Sequence, residues 1–334
     1  MAAPRIAVIG AGNLSRRYHL PSFAELQRKR RCVLAALCDL DEARAAEAAR
    51  AFGARRVYTD VETMLRAERP DGVAVIVPVQ HTRRVAGMVL KKGYPTLTEK
   101  PPGLTPAECK GLIRDAKAGR APNMVAFNRR QCPMLVQARE EVLKRGPLKG
   151  ANGRMYRHRR VDPAFWTTFI HSVDALRFLG GEIDRVVVDR RTLHGDKRPA
   201  FTCAIEYAGG GLGTLSVRPE AGASVERYEL FGKECTAFAR AGVGWLADGK
   251  GLCELYDAGK RVPLPDPLKP YARFQGNLLE AAVGGFYGED AAFVEAVRAG
   301  KGYGPSLAES LPSVEICMAV QAGRGWRRNV KRKT

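Results

Sequence analysis

The chain has 334 residues, too many for one ordinary hydrophobic core and suited to two domains of roughly 100–200 residues each. Its 45% hydrophobic and 27% charged residues exclude a disordered chain, and no apolar run reaches the ~20 residues needed to span a membrane. The net charge of +20 arises from dispersed basic residues, so we expect neither a nucleic-acid nor a membrane partner. The basic tail at residues 324–333 is typical of a frayed terminus.

The N-terminus and the cysteines indicate the compartment. The first ten residues lack the long apolar stretch of a secretory signal, so we expect a cytoplasmic protein. Eight cysteines are scattered without Cys-x-x-Cys spacing, and several lie within apolar runs. This pattern predicts reduced, mostly buried thiols, with no metal site and no disulfides.

The first part of the chain alternates strands with helices. The predicted strands are apolar throughout and lie at residues 5–9, 32–37, 73–77 and 95–98. The predicted helices follow them, at residues up to 30, 41–52, 82–92 and 105–117. This alternation predicts right-handed βαβ units and a doubly wound parallel sheet with both faces covered, an α/β fold of the Rossmann type.

The pattern changes after about residue 123. A helix is expected at 134–144 and another at 165–179, and two more close the chain at 290–299 and 307–322. Strands joined by short Gly-rich turns are expected at 153–160, 185–193, 201–207, 212–217, 224–231 and 235–240. We therefore expect a nucleotide-binding domain at 1–123 and an α+β domain with a mainly antiparallel open sheet at 124–334, which binds substrate and forms the oligomer.

A Gly-rich turn follows the first strand. Gly10 permits a tight turn, Gly12 lets the backbone approach a diphosphate, and Asn13 and Leu14 open the helix whose N-terminus attracts anions. The third position of the usual fingerprint holds Ser15 instead of glycine. Asp39 ends the second strand, where a carboxylate binds ribose hydroxyls and repels a 2′-phosphate. These features predict NAD as the cofactor, with NADP less favoured, and Arg44 is interpreted as a helix-surface charge.

Four motifs together resemble the glucose–fructose oxidoreductase / inositol dehydrogenase (Gfo/Idh/MocA) family. They are the opening segment 6–13, Cys38-Asp39, the Thr-Glu-Lys-Pro segment 98–101 and the His-Ser-Val-Asp segment 171–174. The resemblance implies a Rossmann domain followed by a domain with an open sheet, through which members associate, here as a dimer or tetramer. It also implies NAD(P)-dependent oxidation or reduction at a hydroxyl-bearing carbon of a sugar, polyol or related small molecule.

The resemblance also implies which residues form the site. Lys100 and His171 correspond to the active-site lysine and histidine, while Glu99 and Pro101 shape the lysine loop, where the peptide is often cis. Pro78 corresponds to a residue near the nicotinamide, and His81 to the histidine that follows it. Two family positions differ, because Thr167 replaces the usual aspartate and Phe169 the usual glycine before His171. The role of that aspartate cannot be transferred to Thr167.

The chemistry of these two side chains suits alcohol oxidation. A lysine beside a cationic nicotinamide loses its proton more readily and stabilises alkoxide character, and a histidine titrates near neutral pH. Which of the two moves the proton stays open. Alternatively, Lys100 is a solvated loop residue and His171 a structural residue. Asp174, one turn after His171, either orients the imidazole or binds another helix.

Further residues indicate the substrate site. Arg129, with its neighbour Arg130 and the segment 157–160, can bind a carboxylate or phosphate, which favours an anionic sugar-like substrate. Trp166 and Thr167 are expected at the pocket, although Trp166 fits a core position equally well. Two other functions stay open: a nucleotide-binding protein with lost catalysis, motivated by Ser15 and Thr167, and a nucleic-acid or membrane-surface protein, motivated by the charge.

Overall fold

The computed structural model describes residues 2–161, 164–244, 246–302 and 304–328. These form two compact units. Unit 1 runs up to Asn128 and includes Arg273–Leu311, whereas unit 2 comprises Arg129–Ala272 and the residues from Pro312 onward. The contacts of residues 273–311 thus group them with the first unit, although the sequence analysis assigned everything after residue 123 to the second domain. Residues 329–333 of the basic tail lie outside the described residues.

Unit 1 is built on a six-stranded parallel sheet in the order β3-β2-β1-β4-β5-β6. Its strands are β1 (Arg5–Ile9), β2 (Val33–Cys38), β3 (Arg56–Tyr58), β4 (Gly72–Val75), β5 (Thr96–Glu99) and β6 (Asn123–Ala126). Nearly every residue of β1, β2, β4 and β5 is buried, as expected for strands covered on both faces. This doubly wound sheet confirms the predicted Rossmann fold class.

Seven helices among the described residues belong to unit 1, and some of them begin at a side-chain cap. They are α1 (Leu20–Arg28), α2 (Glu42–Phe52), α3 (Val61–Glu68), α4 (Val79–Lys91), α5 (Pro106–Gly119), α8 (Gly276–Gly284) and α9 (Phe286–Ala299). Asp41 accepts a hydrogen bond from Arg44 N at 3.0 Å, and Thr105 accepts one from Glu108 N at 3.1 Å. These side chains satisfy N–H groups that have no partner within the helix.

The first helix starts with one wider turn. Residues Ser15–His19 are π-helical, and the Leu20 N–H reaches back to Ser15 O. Such single turns occur frequently at functional sites. Since this one follows the Gly-rich segment directly, it determines which side chains after the turn enter the core, and Tyr18 and His19 are both buried.

Unit 2 contains a nine-stranded sheet in the order β14-β13-β12-β11-β7-β10-β9-β8-β15. Its strands are β7 (Gly150–Tyr156), β8 (Ile183–Arg191), β9 (Ala200–Tyr207), β10 (Leu212–Arg218), β11 (Val225–Phe231), β12 (Cys235–Arg240), β13 (Leu252–Asp257), β14 (Lys260–Val262) and β15 (Trp326–Arg327). Neighbouring strands are antiparallel except for the β7–β10 pair. The mainly antiparallel second sheet is thereby confirmed.

Helices cover one face of this second sheet. Helix α6 (Pro133–Leu143) packs on β12 and β13, and α7 (Trp166–Gly180) packs on β7 and β10. A further helix, α10 (Leu307–Gln321), passes from unit 1 into unit 2 at Pro312. Gly153 on β7 faces α7, because a Cβ built there would lie 3.2 Å from the Leu176 side chain.

The structure also bears on the predicted tail, the Gly-rich turn and the cysteines. The tail was expected to fray, yet Trp326 and Arg327 pair with Val186 and Arg185 as a short edge strand. The Gly-rich run after residue 207 is a hairpin turn as predicted, because Leu212 pairs with Glu206 across it. All eight cysteines lie in described segments as free thiols, and seven of them are buried as predicted, while their redox state stays a prediction. No helix among the described residues is both long and apolar enough to cross a bilayer.

Candidate cofactor cleft and active-site residues

A cleft lies at the carboxyl edge of the parallel sheet in unit 1. The strand order reverses between β1 and β4, and ligands of such sheets bind at this reversal. The cleft has a volume of about 470 Å³ and contains the ends of β1, β2 and β4. Its lining includes five residues that the sequence singles out for the cofactor: Gly10, Gly12, Asp39, Pro78 and His81.

The two glycines of the turn have different structural roles. Gly10 has a φ of +102°, and a Cβ built on it would lie 2.0 Å from Ile76 O, so no larger residue fits there. A Cβ built on Gly12 meets no atom of the described residues within 4 Å. Gly10 therefore permits the close packing of β1 and β4, and Gly12 leaves open the space that a diphosphate needs.

Asp39 connects the turn to the second strand. Its Oδ2 accepts a hydrogen bond from Ala11 N at 2.7 Å, and its Oδ1 accepts from Asp41 N at 3.0 Å and from Arg44 Nη2 at 2.6 Å. Partial burial works to raise the pKa of Asp39, but the Arg44 hydrogen bond and the two backbone N–H groups outweigh it, so the pKa is lowered. Asp39 is therefore a carboxylate at neutral pH, as ribose binding requires.

The structure corrects the interpretation of Arg44 as a plain surface charge. Besides its hydrogen bond to Asp39, Arg44 lines the cleft, and Arg84 on α4 lines it as well. Asn13 and Leu14 are exposed at the start of the helix and lie outside the set of described residues that line the cleft. Their predicted contact with the cofactor would thus be made through the helix N-terminus.

The predicted lysine loop begins at the end of β5, on the same edge of the sheet. Glu99 is buried, and its Oε2 accepts a hydrogen bond from the backbone N of Lys100 at 2.9 Å. The Lys100–Pro101 peptide is cis, as the family resemblance implies. Lys100 is partly exposed. The fold therefore presents Lys100 at the edge that carries the cofactor cleft.

Glu99 belongs to a buried cluster that the sequence analysis missed. His19 Nε2 lies 3.0 Å from Glu99 Oε1, and His19 Nδ1 lies 2.9 Å from Asp290 Oδ1. One oxygen or ring nitrogen from each of His19, Glu99 and Glu289 also lies within 4.8 Å of the others, which makes them the one group of potential metal ligands among the described residues. The only sequence signal was a histidine inside an otherwise apolar helix face after the Gly-rich turn.

Helix α7 of unit 2 presents the predicted histidine. His171 and Thr167 lie one turn apart, and both are partly exposed on a helix that is otherwise mostly buried. Thr167 donates a hydrogen bond to Ala164 O at 2.9 Å. Trp166 is 7% exposed, which supports the core alternative over a pocket wall. Phe165 and Phe169 pack against each other in the same core, and Phe169 also contacts Phe201.

The arginines proposed for an anionic substrate are used inside unit 2. Arg129 is 2% exposed and donates to both carboxylate oxygens of Glu226, at 2.6 and 2.8 Å, and Arg157 pairs with the same carboxylate. Arg130 donates to both oxygens of Asp174, at 2.7 and 2.9 Å. This geometry argues against substrate binding by Arg129, because an anion would have to displace Glu226 from a buried pair.

The contacts of Asp174 bear on its two possible roles. It is fully buried and accepts a further hydrogen bond from Ser313 on α10 at 3.1 Å. These contacts of Asp174 favour the alternative in which it binds another helix over the one in which it orients His171.

Comparison with known proteins agrees with this geometry. Residues 4–127 match the family described as "Oxidoreductase family, NAD-binding Rossmann fold", whose short name is GFO_IDH_MocA. This confirms the resemblance drawn from the motifs, and it confirms NAD as the cofactor of the family.

Curated relatives match parts of the chain. D-apiose dehydrogenase of Paraburkholderia graminis is 29% identical over 54% of this chain and 50% of its own length. Inositol 2-dehydrogenase 2 of Saccharopolyspora erythraea is 29% identical over 60% of this chain and 63% of its own. The chain therefore matches less than two thirds of the length of these relatives.

Solved structures match the whole fold. Levoglucosan dehydrogenase, in a complex with NADH and levoglucosan, has a TM-score of 0.79 at 19% identity and covers 98% of this chain and 100% of its own. An oxidoreductase domain protein from Kribbella flavida has a TM-score of 0.80 at 23% identity, over 98% of this chain and 99% of its own. At these identities the likeness establishes the fold of both units and nothing finer.

Proposed function

We propose that this protein is an NAD-dependent dehydrogenase or reductase that acts on a hydroxyl-bearing carbon of a sugar, polyol or sugar derivative. The observation that carries the proposal is the cleft of unit 1, which an open glycine and a carboxylate line at the edge of the Rossmann sheet where β5 leads into the lysine loop. The family match supports the redox class, and the names of the relatives support the substrate class.

NAD, when bound, supplies hydride transfer, and the protein supplies orientation and proton handling. Gly12 and the helix N-terminus after it bind the diphosphate, and Asp39 accepts hydrogen bonds from the ribose. Lys100 binds the reacting oxygen and stabilises its developing negative charge. His171 holds or accepts the hydroxyl proton, since imidazole titrates near neutral pH.

Specificity for NAD over NADP follows from Asp39 in the same proposal. A 2′-phosphate placed near this carboxylate would meet like charge, and Arg44 is already engaged by Asp39 at 2.6 Å. NADP would therefore bind more weakly until the Asp39–Arg44 pair is broken. The arginines expected to bind an anionic substrate are paired with Glu226 and Asp174 instead. We therefore favour a neutral polyol or sugar as the substrate.

The test combines cofactor titration with a substrate panel. NADH fluorescence is titrated with the purified protein, and NADH absorbance is followed with D-apiose, inositol, levoglucosan and D-glucosides. We expect saturable NADH binding and turnover of at least one of these compounds. Binding with no turnover across the panel would favour a nucleotide-binding protein that has lost catalysis, and absence of NADH binding would contradict the proposal as a whole.

Assembly through the second sheet is also part of the proposal. Its face opposite α6 and α7 carries exposed apolar side chains, among them Phe238, Tyr256 and Val187, which are 40, 36 and 48% exposed. Phe238 and Tyr256 contact each other edge to face, with ring centroids 5.9 Å apart. Covering such a face favours a dimer or tetramer.

Oligomeric mass tests this part separately. Sedimentation or light scattering should give a multiple of the 36.5 kDa chain mass, and Phe238→Glu should shift it toward the monomer. A monomeric wild type would remove the assembly proposal without affecting the cofactor cleft. Residence in the cytoplasm stays a prediction from the N-terminal sequence.

A further inference from the structure

A buried charge cluster joins three elements of unit 1 that are far apart in the sequence. His19 ends the π-helical turn, Glu99 ends β5, and Asp290 lies on α9. The His19 side chain is fully buried, with Asp290 Oδ1 at 2.9 Å from one ring nitrogen and Glu99 Oε1 at 3.0 Å from the other. Burying three ionisable groups is costly, so their mutual arrangement needs a reason.

The surroundings of His19 favour a positively charged ring. A doubly protonated imidazole has an N–H at each nitrogen and can donate to the carboxyl oxygens beside both of them. Burial works against that charge, but the attraction and hydrogen bonds of Asp290 and Glu99 raise the pKa of His19 well above its ordinary value. Burial also raises the pKa of Asp290, against the attraction of His19. Glu289 is a further titratable group close to the His19 ring. The ring of Phe286 meets the His19 ring edge-on, with the two centroids 5.5 Å apart.

Glu99 transmits the position of His19 to the lysine. One carboxyl oxygen of Glu99 contacts the imidazole, and the other accepts the backbone N–H of Lys100 at 2.9 Å. At its other end, the π-helical turn is attached to the cofactor turn, because Arg16 N donates to Gly12 O at 3.0 Å. His19 therefore lies between the segment that binds the diphosphate and the segment that carries the lysine.

We propose that His19 is a positioning residue, which fixes the carboxyl group of Glu99 and thereby the backbone of Lys100 relative to the Gly10–Gly12 turn. The inference rests on the proposed function, in which Lys100 binds the reacting oxygen. His19 acts through Glu99 and not by contact with substrate. A misplacement of about 1 Å in a reacting group lowers turnover by about 100-fold, so this arrangement has consequences for rate.

The geometry favours a proton over a metal ion at this cluster. His19, Glu99 and Glu289 have suitable donor atoms within 4.8 Å of one another. A histidine binds a metal through a neutral ring with a nitrogen lone pair directed at the ion. Both nitrogens of His19 are instead at hydrogen-bond distance from carboxyl oxygens.

The experiment compares His19→Gln, Glu99→Gln and the double variant with the wild type. We expect each single variant to lower kcat about 10- to 100-fold while the Kd for NADH changes less than about threefold. Amide hydrogen exchange in the peptide 96–103 should become faster in the variants than in the wild type. Because Pro101 and Pro102 have no amide hydrogen, the amides of Lys100 and Gly103 report on the loop. The double variant should be no worse than the worse single variant, because both changes break one connection.

Asp115→Asn is the matched control. It breaks another ion pair of unit 1, since Asp115 is 9% exposed and lies 2.6 Å from Arg83, and neither residue lines the cofactor cleft among the described residues. This variant should lose stability without faster exchange at 96–103 and without a lower kcat. Exchange that is unchanged in His19→Gln, or equally faster in the control, would overturn the proposal.

The two proposals fail in different ways. If the wild type turns over no sugar, the proposed function fails, but the exchange measurement still decides whether His19 fixes the lysine loop. If the wild type is active and His19→Gln keeps full kcat, the positioning role fails while the enzymatic function stands. Should His19→Gln not fold, Glu99→Gln alone tests the same connection, since it keeps the size of the side chain.

Discussion

The cofactor cleft of unit 1 and the core of unit 2 use their charged residues in opposite ways. In unit 1, Asp39 and Arg44 line an open cleft and Lys100 follows a strand that ends on the same edge. In unit 2, Arg129, Arg157 and Glu226 are buried against one another. In the proposed function, the same residue types therefore serve ligand binding where the parallel strands end and internal packing in the mainly antiparallel unit 2. Substitutions in the two regions should separate activity from stability.

The largest expected effect is the loss of turnover on removing Lys100. In the proposed mechanism Lys100 stabilises charge that develops on the substrate oxygen, so we expect Lys100→Ala to lower kcat by about 1,000-fold. The Kd for NADH should stay within about twofold, since the diphosphate and ribose are bound by other residues. Steady-state kinetics and NADH titration measure the two quantities. Lys92→Ala, an exposed lysine on the same unit, should change neither, and substantial activity in Lys100→Ala would remove Lys100 from the reaction.

The opposite result is expected in unit 2. Glu226→Gln leaves two buried arginines without their carboxylate, and breaking a buried pair costs about 3–5 kcal/mol in the free energy of unfolding. Urea denaturation should show this loss. Glu229→Gln, on the same strand but partly exposed beside Arg154, should cost less than about 1 kcal/mol. Equal losses in the two variants would mean that burial does not distinguish these pairs.

The contribution of Glu226 to the free energy of unfolding depends on pH in a defined direction. Burial works to raise the pKa of Glu226, but the charges of Arg129 and Arg157 hold it at about 2. An unfolded chain has a glutamate pKa of about 4.3, so the contribution of Glu226 is complete above that pH and is lost as pH falls toward 2. The stability difference between wild type and Glu226→Gln should therefore shrink from pH 5 to pH 2. A constant difference would contradict the lowered pKa.

The same contrast explains how far the sequence predicts the structure. Unit 1 was predictable because buried parallel strands are continuous apolar runs, and because Gly10, Gly12 and Asp39 have roles that follow from backbone geometry and charge. Short elements were missed, among them β3, α3 and β14, since three to eight residues give little periodicity. Asp60, which caps α3 by accepting from Thr63 N at 2.8 Å, was the available signal.

The parts that the sequence did not predict depend on residues that are distant along the chain. Arg129 was expected at the substrate, and nothing near it in the sequence indicated that its partner is Glu226, 97 residues away. The contact between His19 and Asp290 likewise spans 271 residues. No periodicity or local motif reports such pairs, so an arginine near a predicted cleft looks the same whether it binds substrate or a buried carboxylate. The elements followed from local patterns, whereas the ion pairs required the fold.

Cofactor preference gives a smaller effect within the cleft. In the proposed function the Asp39 carboxylate accepts hydrogen bonds from the ribose hydroxyls. Asp39→Asn removes its negative charge, so we expect NAD affinity to fall about tenfold, as for loss of a charge-assisted hydrogen bond. Arg44, no longer held at 2.6 Å from a carboxylate, then becomes available to a 2′-phosphate. The ratio of NADP to NAD affinity should rise, and adding Arg44→Ala should reverse that rise. An unchanged ratio would exclude Asp39 from cofactor selection.

An effect of similar size tests the Gly10–Gly12 turn itself. A methyl group on Gly12 meets no atom of the described residues within 4 Å, so Gly12→Ala should fold normally, yet the methyl stands where a diphosphate must approach the backbone. We expect a loss of NADH affinity of about tenfold, or ~1.4 kcal/mol, with unchanged thermal stability. Gly209→Ala, whose methyl likewise meets no described atom within 4 Å but lies in the β9–β10 turn of unit 2, should leave both unchanged. Gly10→Ala should instead destabilise unit 1, because its Cβ would lie 2.0 Å from Ile76 O. If Gly12→Ala bound NADH as well as the wild type does, the cleft would not hold the diphosphate at this turn.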